Sequence, residues 1–353
     1  MKIAQISPLF ESVPPKTYGG TERVVHYLTE ELVNQGHDVT LYASGDSVTN
    51  ANLRSIIPEA LRLSTTQREP AAWHTLQLAD VAKHCDQYDI VHFHTDFLHF
   101  PLWRCMRTPQ LSTLHGRLDL PDLHPVYNEF SDMQVVSISN SQRNPMLQAC
   151  WAGTVYNGIP ENLYDYQSTP GEYLAFLGRI SPEKGIIDAI QIAIKIGMPL
   201  KIAAKVDPVD QHYFDQLIEP MLHHPLIEYI GEVDEAGKNE LLGGAYATLL
   251  PINWPEPFGL VMIESFACGT PVVAYRRGSV PEVMVDQKTG FVVNNQEEAI
   301  AAIKKIDLIK RSDCRMHFEA NFTSHRMADD YLYIYSALTK SIQANRSQQL
   351  AIG

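Results

Sequence analysis

Short apolar runs rich in β-branched residues alternate along this chain with longer stretches that carry apolar residues at helical spacing. This rhythm predicts βαβ units and parallel sheets. In the first half, strands are expected over Lys2–Ser7, Val39–Ala43, Ile90–His94, Leu111–His115, Gln134–Ser139 and Thr154–Tyr156. In the second half, strands are expected over Tyr173–Leu177, Leu200–Lys205, Ile227–Ile230, Ala247–Pro251, Pro271–Tyr275 and Gly290–Val293.

The best-defined helix is expected over Thr21–Gln35. An apolar stripe runs along it, Thr21 is placed to cap its start, and Gly36 is placed to end it. Apolar residues at helical spacing recur from about His325 to Ala344, which predicts a long terminal helix.

A polar segment at 167–173, containing Pro170 and Gly171, separates the two halves and is typical of a linker. We therefore expect an α/β protein with two Rossmann-like domains that face each other across an interdomain cleft. The domains are expected at 1–165 and 170–329, with a terminal helix at about 330–353 packing back on the first.

Composition narrows the class of protein. The 353 residues, 45% of them hydrophobic, are about enough for two domains. A net charge of −13 without a basic cluster disfavours nucleic-acid binding. Five scattered cysteines form no Cys-x-x-Cys pair, which indicates a reducing cytoplasm. The first residues do not have the pattern of a secretory signal peptide, so none is expected. No apolar run approaches the roughly 20 residues that are needed to span a membrane.

The most informative stretch is WPEPFGLVMIESFACGTPVV, Trp254 to Val273. Glu256 is expected in a loop, a helix is expected to begin around Phe258, and Glu264 is expected on that helix. The free N–H groups of a helix start suit phosphate oxygens, and Gly259 lets the backbone approach a ligand. The two carboxylates could then accept hydrogen bonds from sugar and ribose hydroxyls. The alternative is a capping acid followed by an exposed helical glutamate.

Two further segments could contribute to the same chemistry. GRISPEKG, Gly178 to Gly185, places Arg179 and Lys184 beside a strand–helix turn, where a diphosphate needs countercharge. YGGTE, Tyr18 to Glu22, offers a glycine loop at a helix start. The alternatives are a solvated turn and an ordinary strand–helix turn.

Histidines follow two strands of the first half. His115 is expected at the carboxyl end of a strand, facing the cleft, although a structural role is the alternative. His92 and His94 share one strand face, but no third ligand supports a metal site. No Asp-x-Asp, G-x-G-x-x-G or P-loop motif occurs, so metal-held diphosphate, dinucleotide and P-loop sites lose support.

Together, these segments resemble the family 4 retaining glycosyltransferases of the GT-B fold. The family's Glu-x7-Glu motif corresponds to Glu256 and Glu264, and its basic turn corresponds to Gly178–Gly185. Its N-terminal glycine loop corresponds to Gly19-Gly20 and its first-domain histidine to His115. Gly278–Val283 and Thr289–Phe291 are also similar, so the resemblance covers nearly the whole chain.

The resemblance implies an acceptor-side first domain, a second domain that binds a nucleotide sugar, and a role for each matching residue. The catalytic set would be His115, Glu256, Arg179 and Lys184. The donor-binding set would be Gly19, Gly20, Arg179, Lys184, Glu256, Phe258, Gly259, Leu260 and Glu264. In these roles Glu256 contacts sugar hydroxyls, Glu264 contacts ribose, and the two cations hold the diphosphate. No metal ion and no cofactor are expected.

The expected reaction is metal-independent hexosyl transfer from a nucleotide-diphosphate sugar, with a UDP-hexose favoured, to a saccharide or small-molecule acceptor. The alternatives are an epimerase or phosphorylase on the same fold, and a non-catalytic nucleotide-sugar-binding protein. Residues 1–160 hold 11 Lys and Arg against 16 Asp and Glu, which disfavours attraction to an anionic membrane.

Overall fold

The computed structural model describes residues 1–16, 19–64 and 69–352, with side chains described up to residue 340. The chain divides into two compact units. The first consists of Met1–Gly158 together with Ser324–Gly353, and the second of Ile159–Thr323. The segment 167–173 belongs to the second unit, where the Gln167 N–H donates to the Cys268 carbonyl at 3.0 Å.

The described part of the first unit contains a seven-stranded parallel sheet in the order β3-β2-β1-β4-β5-β6-β7. Its strands are β1 Lys2–Ile6, β2 Asp38–Tyr42, β3 Asn52–Arg54, β4 Ile90–Phe93, β5 Gln110–Leu114, β6 Gln134–Ser137 and β7 Cys150–Thr154. The helices before residue 159 are α1 Gly20–Asn34, α2 Pro70–His84, α3 Phe100–Trp103 and α4 Leu123–Glu129.

The described part of the second unit contains a six-stranded parallel sheet in the order β10-β9-β8-β11-β12-β13. Its strands are β8 Leu174–Arg179, β9 Leu200–Lys205, β10 Ile227–Gly231, β11 Ala247–Leu250, β12 Val272–Tyr275 and β13 Gly290–Val293. Its helices are α5 Ile186–Ile196, α6 Gln211–Tyr213, α7 Glu219–Leu222, α8 Glu235–Gly243, α9 Leu260–Ala267, α10 Val280–Val283, α11 Gln296–Ile303 and α12 Arg311–Asn321.

The central strands form where the sequence alternates buried runs with helices. Every residue of β4, β11 and β12 is buried, as expected of a parallel sheet covered on both faces. Two strands of the first sheet depart from the expectation. The strand expected at Thr154–Tyr156 lies earlier, at β7, and β3 was not expected. Both are edge strands with few buried residues, so hydrophobic patterning does not mark them.

Two helix starts also correct the sequence prediction. Helix α1 begins at Gly20, with Gly19 in the capping position and no side-chain cap, so Thr21 lies in the first turn and does not cap it. Helix α9 begins at Leu260, two residues after the expected Phe258. The reason is that Gly259 has φ +81°, a left-handed conformation that cannot continue into a right-handed helix.

The last helix, α13, spans Ser324–Ile352 and belongs to the first unit. Its apolar side is buried through Met327, Tyr331 and Tyr335. The Gln35 amide at the end of α1 donates to Asp329 on α13 at 3.2 Å. Across the described residues, none of the helices combines the length and the apolar character that crossing a lipid bilayer requires.

Candidate active site

A lysine and a glutamate from two neighbouring loops form a largely buried ion pair. The Lys184 Nζ donates to the Glu256 Oε2 at 2.6 Å, and the two side chains are only 18% and 10% exposed. The Trp254 indole N–H donates to the same oxygen at 2.9 Å, and Lys184 Nζ lies 5.0 Å from the centre of the Trp254 ring. The structure therefore brings Lys184 and Glu256 into direct contact.

Close backbone packing brings these two loops together. Lys184 ends a short 3₁₀ turn after β8, and Gly185 follows it with φ +72°. A Cβ atom on Gly185 would lie 1.9 Å from the Pro251 carbonyl oxygen, so only glycine permits this approach. The Asn253 N–H then donates to the Glu183 carbonyl at 2.8 Å. Close packing therefore requires a glycine at the last position of GRISPEKG.

A third segment supports the loop that carries Glu256. A Cβ atom on Gly278 would lie 2.3 Å from the Glu256 carbonyl oxygen. The Ser279 N–H donates to that oxygen at 2.9 Å, and the Ser279 hydroxyl donates to the Phe258 carbonyl at 2.8 Å. The GSVPEV stretch therefore fixes the backbone on both sides of Pro257.

The start of α9 follows directly on this loop. Phe258 is buried, with its ring 6.1 Å from that of Phe322, which anchors the backbone just before the helix. Gly259 precedes the first helical residue, Leu260. The first N–H groups of a helix lack partners inside it, so they are available to an anion. Glu256 thus stands beside a helix start, as the sequence predicts.

Arg179 ends β8 and contacts two carboxylates. Its guanidinium donates to Glu183 at 2.7 Å and to Asp207 at 3.3 Å. Lys205, the last residue of β9, lies 3.1 Å from the other oxygen of Asp207. Burial raises the pKa of Asp207, but the hydrogen bond and positive charge of Lys205, together with Arg179, outweigh it and leave that pKa below its ordinary value. The carboxylate stays ionised and holds both cations.

Glu264 lies on α9 and is 4% exposed, so the alternative of an exposed helical glutamate is wrong. Lys238 on α8 donates to its Oε1 at 3.0 Å. The Tyr164 hydroxyl lies 3.4 Å from the same oxygen and donates to Glu235 at 2.5 Å. Lys238 also lies 3.1 Å from Glu235. Glu264 therefore belongs to a buried polar group in which one lysine serves two carboxylates.

In the first unit, β5 ends at Leu114, so His115 lies one residue beyond the strand of which the sequence analysis makes it the last residue. The Gln142 side chain donates to the carbonyls on both sides of it, Leu114 at 2.8 Å and Gly116 at 2.7 Å. The His115 Nε2 lies 2.8 Å from the His94 Nδ1. The surrounding protein lowers the pKa of the partly exposed His115 to about 4 through desolvation, so its imidazole is neutral at pH 7.

Gly19 and Gly20 precede and begin α1. A Cβ atom on Gly19 would lie 2.7 Å from the Pro15 Cβ, so this loop is packed too tightly for a side chain. Tyr18 of the same motif lies outside the described residues. His92 and His94 both take part in hydrogen bonds with side chains. Among the described residues, no group of three His, Cys, Asp or Glu side chains has a metal-binding arrangement.

Family models match both halves of the chain. The model described as Glycosyltransferase Family 4 matches residues 18–160, and the model described as Glycosyl transferases group 1 matches residues 167–323. The chain belongs to the family 4 glycosyltransferases. Its two parallel-sheet domains have the GT-B fold, as the sequence predicts.

Individual proteins similar to this glycosyltransferase cover most of its length. Glycogen synthase of Mycobacterium tuberculosis is 26% identical over 78% of this chain and 79% of its own. The structure of AviGT4, a glycosyltransferase of avilamycin A biosynthesis, matches with a TM-score of 0.74 and 23% identity over 97% of this chain and 98% of its own. Anabaena HepE, solved in complex with UDP, matches with a TM-score of 0.75 and 18% identity over 96% of this chain and all of its own.

The structure adds residues of this glycosyltransferase that the sequence analysis did not single out. They are Trp254, Lys238, Ser279 and Gln142. Trp254 lies two residues from Glu256, so proximity was an available signal. The other three reach their partners from 21 to 28 positions away in the sequence, and no local pattern marks such contacts.

Proposed function

We propose that this glycosyltransferase transfers a hexosyl group from a nucleotide-diphosphate sugar to an acceptor hydroxyl, with retention of anomeric configuration and without a metal ion or cofactor. The observation that carries the proposal is the Lys184–Glu256 pair beside the start of α9. It brings a cation from one loop of the second unit to a carboxylate that lies just before the start of α9 and its free N–H groups.

The countercharge for a diphosphate comes from protein groups in this proposal. Lys184 moves from Glu256 to a phosphate oxygen, and Arg179 provides a second cation from the end of β8. The N–H groups of Phe258, Gly259 and Leu260 bind the sugar and the phosphates. These two cations and a helix start perform the task that a divalent ion performs in metal-dependent transferases.

Losing Lys184 as a partner leaves the Glu256 carboxylate available to sugar hydroxyls, since a carboxylate has several acceptor positions. Glu264, which already accepts from Lys238, also accepts from a ribose hydroxyl. From the first unit, we propose that Gly19 and Gly20 contact the diphosphate and that His115 contacts the transferred sugar. The functional domains proposed are 1–165, with the terminal helix at about 330–353, and 170–329.

The proposed reaction needs no covalent protein intermediate. The bond from the anomeric carbon to the phosphate oxygen breaks through an oxocarbenium-like state. The acceptor oxygen bonds to the same carbon from the same face, and its proton passes to an oxygen of the departing diphosphate. The protein contributes by stabilising the leaving group and by orienting both substrates.

A uridine-diphosphate hexose is the donor that we favour. HepE has been solved with UDP-glucose bound, and its fold is shared by this chain. For the acceptor, we propose a saccharide or other small molecule, because acidic residues outnumber basic ones in residues 1–160. The comparisons give no support to an epimerase.

The test is a thermal-shift panel followed by a transfer assay. A ligand at 100 times its dissociation constant stabilises the folded state by about 2.7 kcal/mol, so UDP and UDP-hexoses should raise the melting temperature more than the guanosine and adenosine forms. Transfer should proceed fully in EDTA. Strict dependence on added Mn²⁺ or Mg²⁺ would refute the metal-free mechanism, and donor binding without transfer or hydrolysis would indicate a non-catalytic binder.

A further inference from the structure

A continuous chain of side-chain hydrogen bonds leads from His115 into the interior of the first unit. The His115 Nε2 meets the His94 Nδ1 at 2.8 Å, and the His94 Nε2 meets the Gln5 Oε1 at 2.8 Å. The Gln5 amide N–H donates to the Tyr335 hydroxyl at 3.1 Å. Gln5 lies on β1 and Tyr335 on α13, so the terminal helix completes the chain.

Beyond Tyr335 the chain continues through three more side chains. The Tyr335 hydroxyl meets the His92 Nδ1 at 2.7 Å, the His92 Nε2 meets the Thr113 hydroxyl at 2.7 Å, and Thr113 meets the Tyr331 hydroxyl at 2.8 Å. The members other than His115 are at most 2% exposed. A buried polar group without a partner is costly, so these bonds constrain one another.

The direction of each bond follows from counting protons. Desolvation by burial lowers the pKa of His92 and His94 well below the ordinary value, so both rings are neutral and carry one N–H each. The Gln5 carbonyl oxygen only accepts, so the His94 Nε2 must carry the proton. The His94 Nδ1 is then a bare acceptor, and the His115 Nε2 must donate to it.

We propose that Gln5, His94 and Tyr335 are positioning residues that fix His115 with its proton on Nε2 and with Nδ1 as a hydrogen-bond acceptor. The inference rests on the proposed function, in which His115 contacts the transferred sugar. A bare Nδ1 accepts a hydrogen bond from a sugar hydroxyl. It cannot donate to a phosphate oxygen or protonate a leaving group.

Gln5 determines the polarity of the whole chain. The opposite orientation of its amide would give every bond the opposite direction and would place the His115 proton on Nδ1. In the orientation that the structure shows, the Tyr335 hydroxyl accepts from the Gln5 N–H and donates to His92, so it stabilises that orientation. The terminal helix therefore acts on the tautomer of a residue more than 200 positions earlier in the sequence.

The direct test is ¹⁵N NMR of the full-length protein labelled on histidine, because protonated and bare imidazole nitrogens have separate chemical shifts. A His115→Asn variant assigns the His115 signals by their loss. We expect Nε2 of His115 to be protonated and Nδ1 to be bare. A proton on Nδ1 in the wild-type protein would overturn the proposal.

Two tyrosines on the same helix provide a variant and its matched control. Tyr335→Phe removes the hydroxyl that orients Gln5, so a second His115 tautomer should become populated and turnover should fall about twofold to tenfold. Tyr331→Phe removes an equally buried hydroxyl at the far end of the chain and should leave the His115 signals and turnover unchanged. Equal effects of both changes on the His115 signals, or no effect of Tyr335→Phe, would overturn the proposal.

The two proposals fail in different ways. If the wild-type protein transfers no sugar from any nucleotide sugar, the proposed function is wrong, but the ring nitrogens of His115 remain measurable. If transfer occurs and the His115 Nδ1 carries the proton, only the positioning role is wrong.

Discussion

Replacing Lys184 by alanine removes the cation at the centre of the candidate site. Lys184 and Trp254 both donate to the Glu256 carboxylate, so the change leaves that carboxylate with the Trp254 N–H alone of these two donors. We expect two separate consequences, one for sugar transfer and one for folding. Their sizes can be worked out independently from the geometry.

The effect on transfer follows from the proposed role in stabilising the diphosphate. Loss of one charge-stabilising donor at a reacting centre lowers turnover about 100-fold or more, which corresponds to about 2.7 kcal/mol. The effect on folding depends on burial. Exposed ion pairs contribute about 0–1 kcal/mol and breaking a fully buried pair costs about 3–5 kcal/mol. With side chains 18% and 10% exposed, Lys184 and Glu256 fall between these limits, at about 1–3 kcal/mol.

Lys201 provides a matched control in the same unit. It lies 3.6 Å from Glu228 and 4.7 Å from the ring centre of Tyr173, so it also combines an ion pair with an aromatic contact. Its pair is much more exposed, at 38% and 59%. Lys201→Ala should therefore change the unfolding free energy by less than about 0.5 kcal/mol and leave turnover unchanged.

The assay measures initial transfer rates from a UDP-hexose, together with urea unfolding of each variant. Rates are compared at a temperature where all variants are folded. Arg179→Ala should lower turnover by a similar factor of about 100. Turnover above a tenth of the wild-type value in folded Lys184→Ala protein, or an equal loss in Lys201→Ala, would refute the assigned role.

Three further changes test other parts of the structure. Glu256→Gln releases Lys184 from its carboxylate, so UDP should bind about fivefold more tightly by calorimetry while transfer falls. Gly278→Ala places a Cβ against the Glu256 backbone, so it should lower both donor affinity and stability. Gly197 also has a positive φ but has open space around it, so Gly197→Ala should lower the unfolding free energy in urea by only about 1 kcal/mol and leave donor affinity unchanged. Burial raises the pKa of Glu22 to about 7 from 4.5, so its carboxylate lowers stability as pH rises through that interval. Glu22→Gln should match the wild type in urea unfolding at pH 4.5 and be about 3 kcal/mol more stable at pH 8, and an unchanged difference between the two pH values would contradict this.

Local patterning was sufficient for the central strands and for the residues that border them. A fully buried parallel strand such as β4 or β11 has a continuous apolar run, and the turn that follows it is marked by glycine or by charge. Glu256 and Lys184 could be named as candidate site residues because each lies in the segment that follows a strand. The edge strands β3 and β7 escaped this reasoning, because an edge strand that buries few side chains has no distinctive pattern.

Partnerships between distant residues could not be predicted in the same way. The pairing of Glu264 with Lys238 depends on how α8 and α9 pack on their sheet, which no local spacing encodes. The chain from His115 to Tyr335 depends on β1, β4 and α13 meeting, although its members are spread over 330 positions. Only the tertiary fold reveals that a glutamine on the first strand is connected to a histidine after the fifth.

The ion pairs around the site keep its partly buried cations paired while no ligand is bound. A lysine or arginine in a partly dry site is costly without a partner, so cations placed there in advance need carboxylates close by. In the described part of the second unit, three cations contact three carboxylates at the ends of β8, β9 and β11; they are Arg179, Lys184 and Lys205 with Glu183, Asp207 and Glu256. These six charges sum to zero. A diphosphate would therefore bind by replacing carboxylates as the partners of cations that are already in place. The carboxylate that Lys184 leaves is the one proposed to accept the sugar hydroxyls, so the same exchange that binds the phosphate would prepare Glu256 for the sugar.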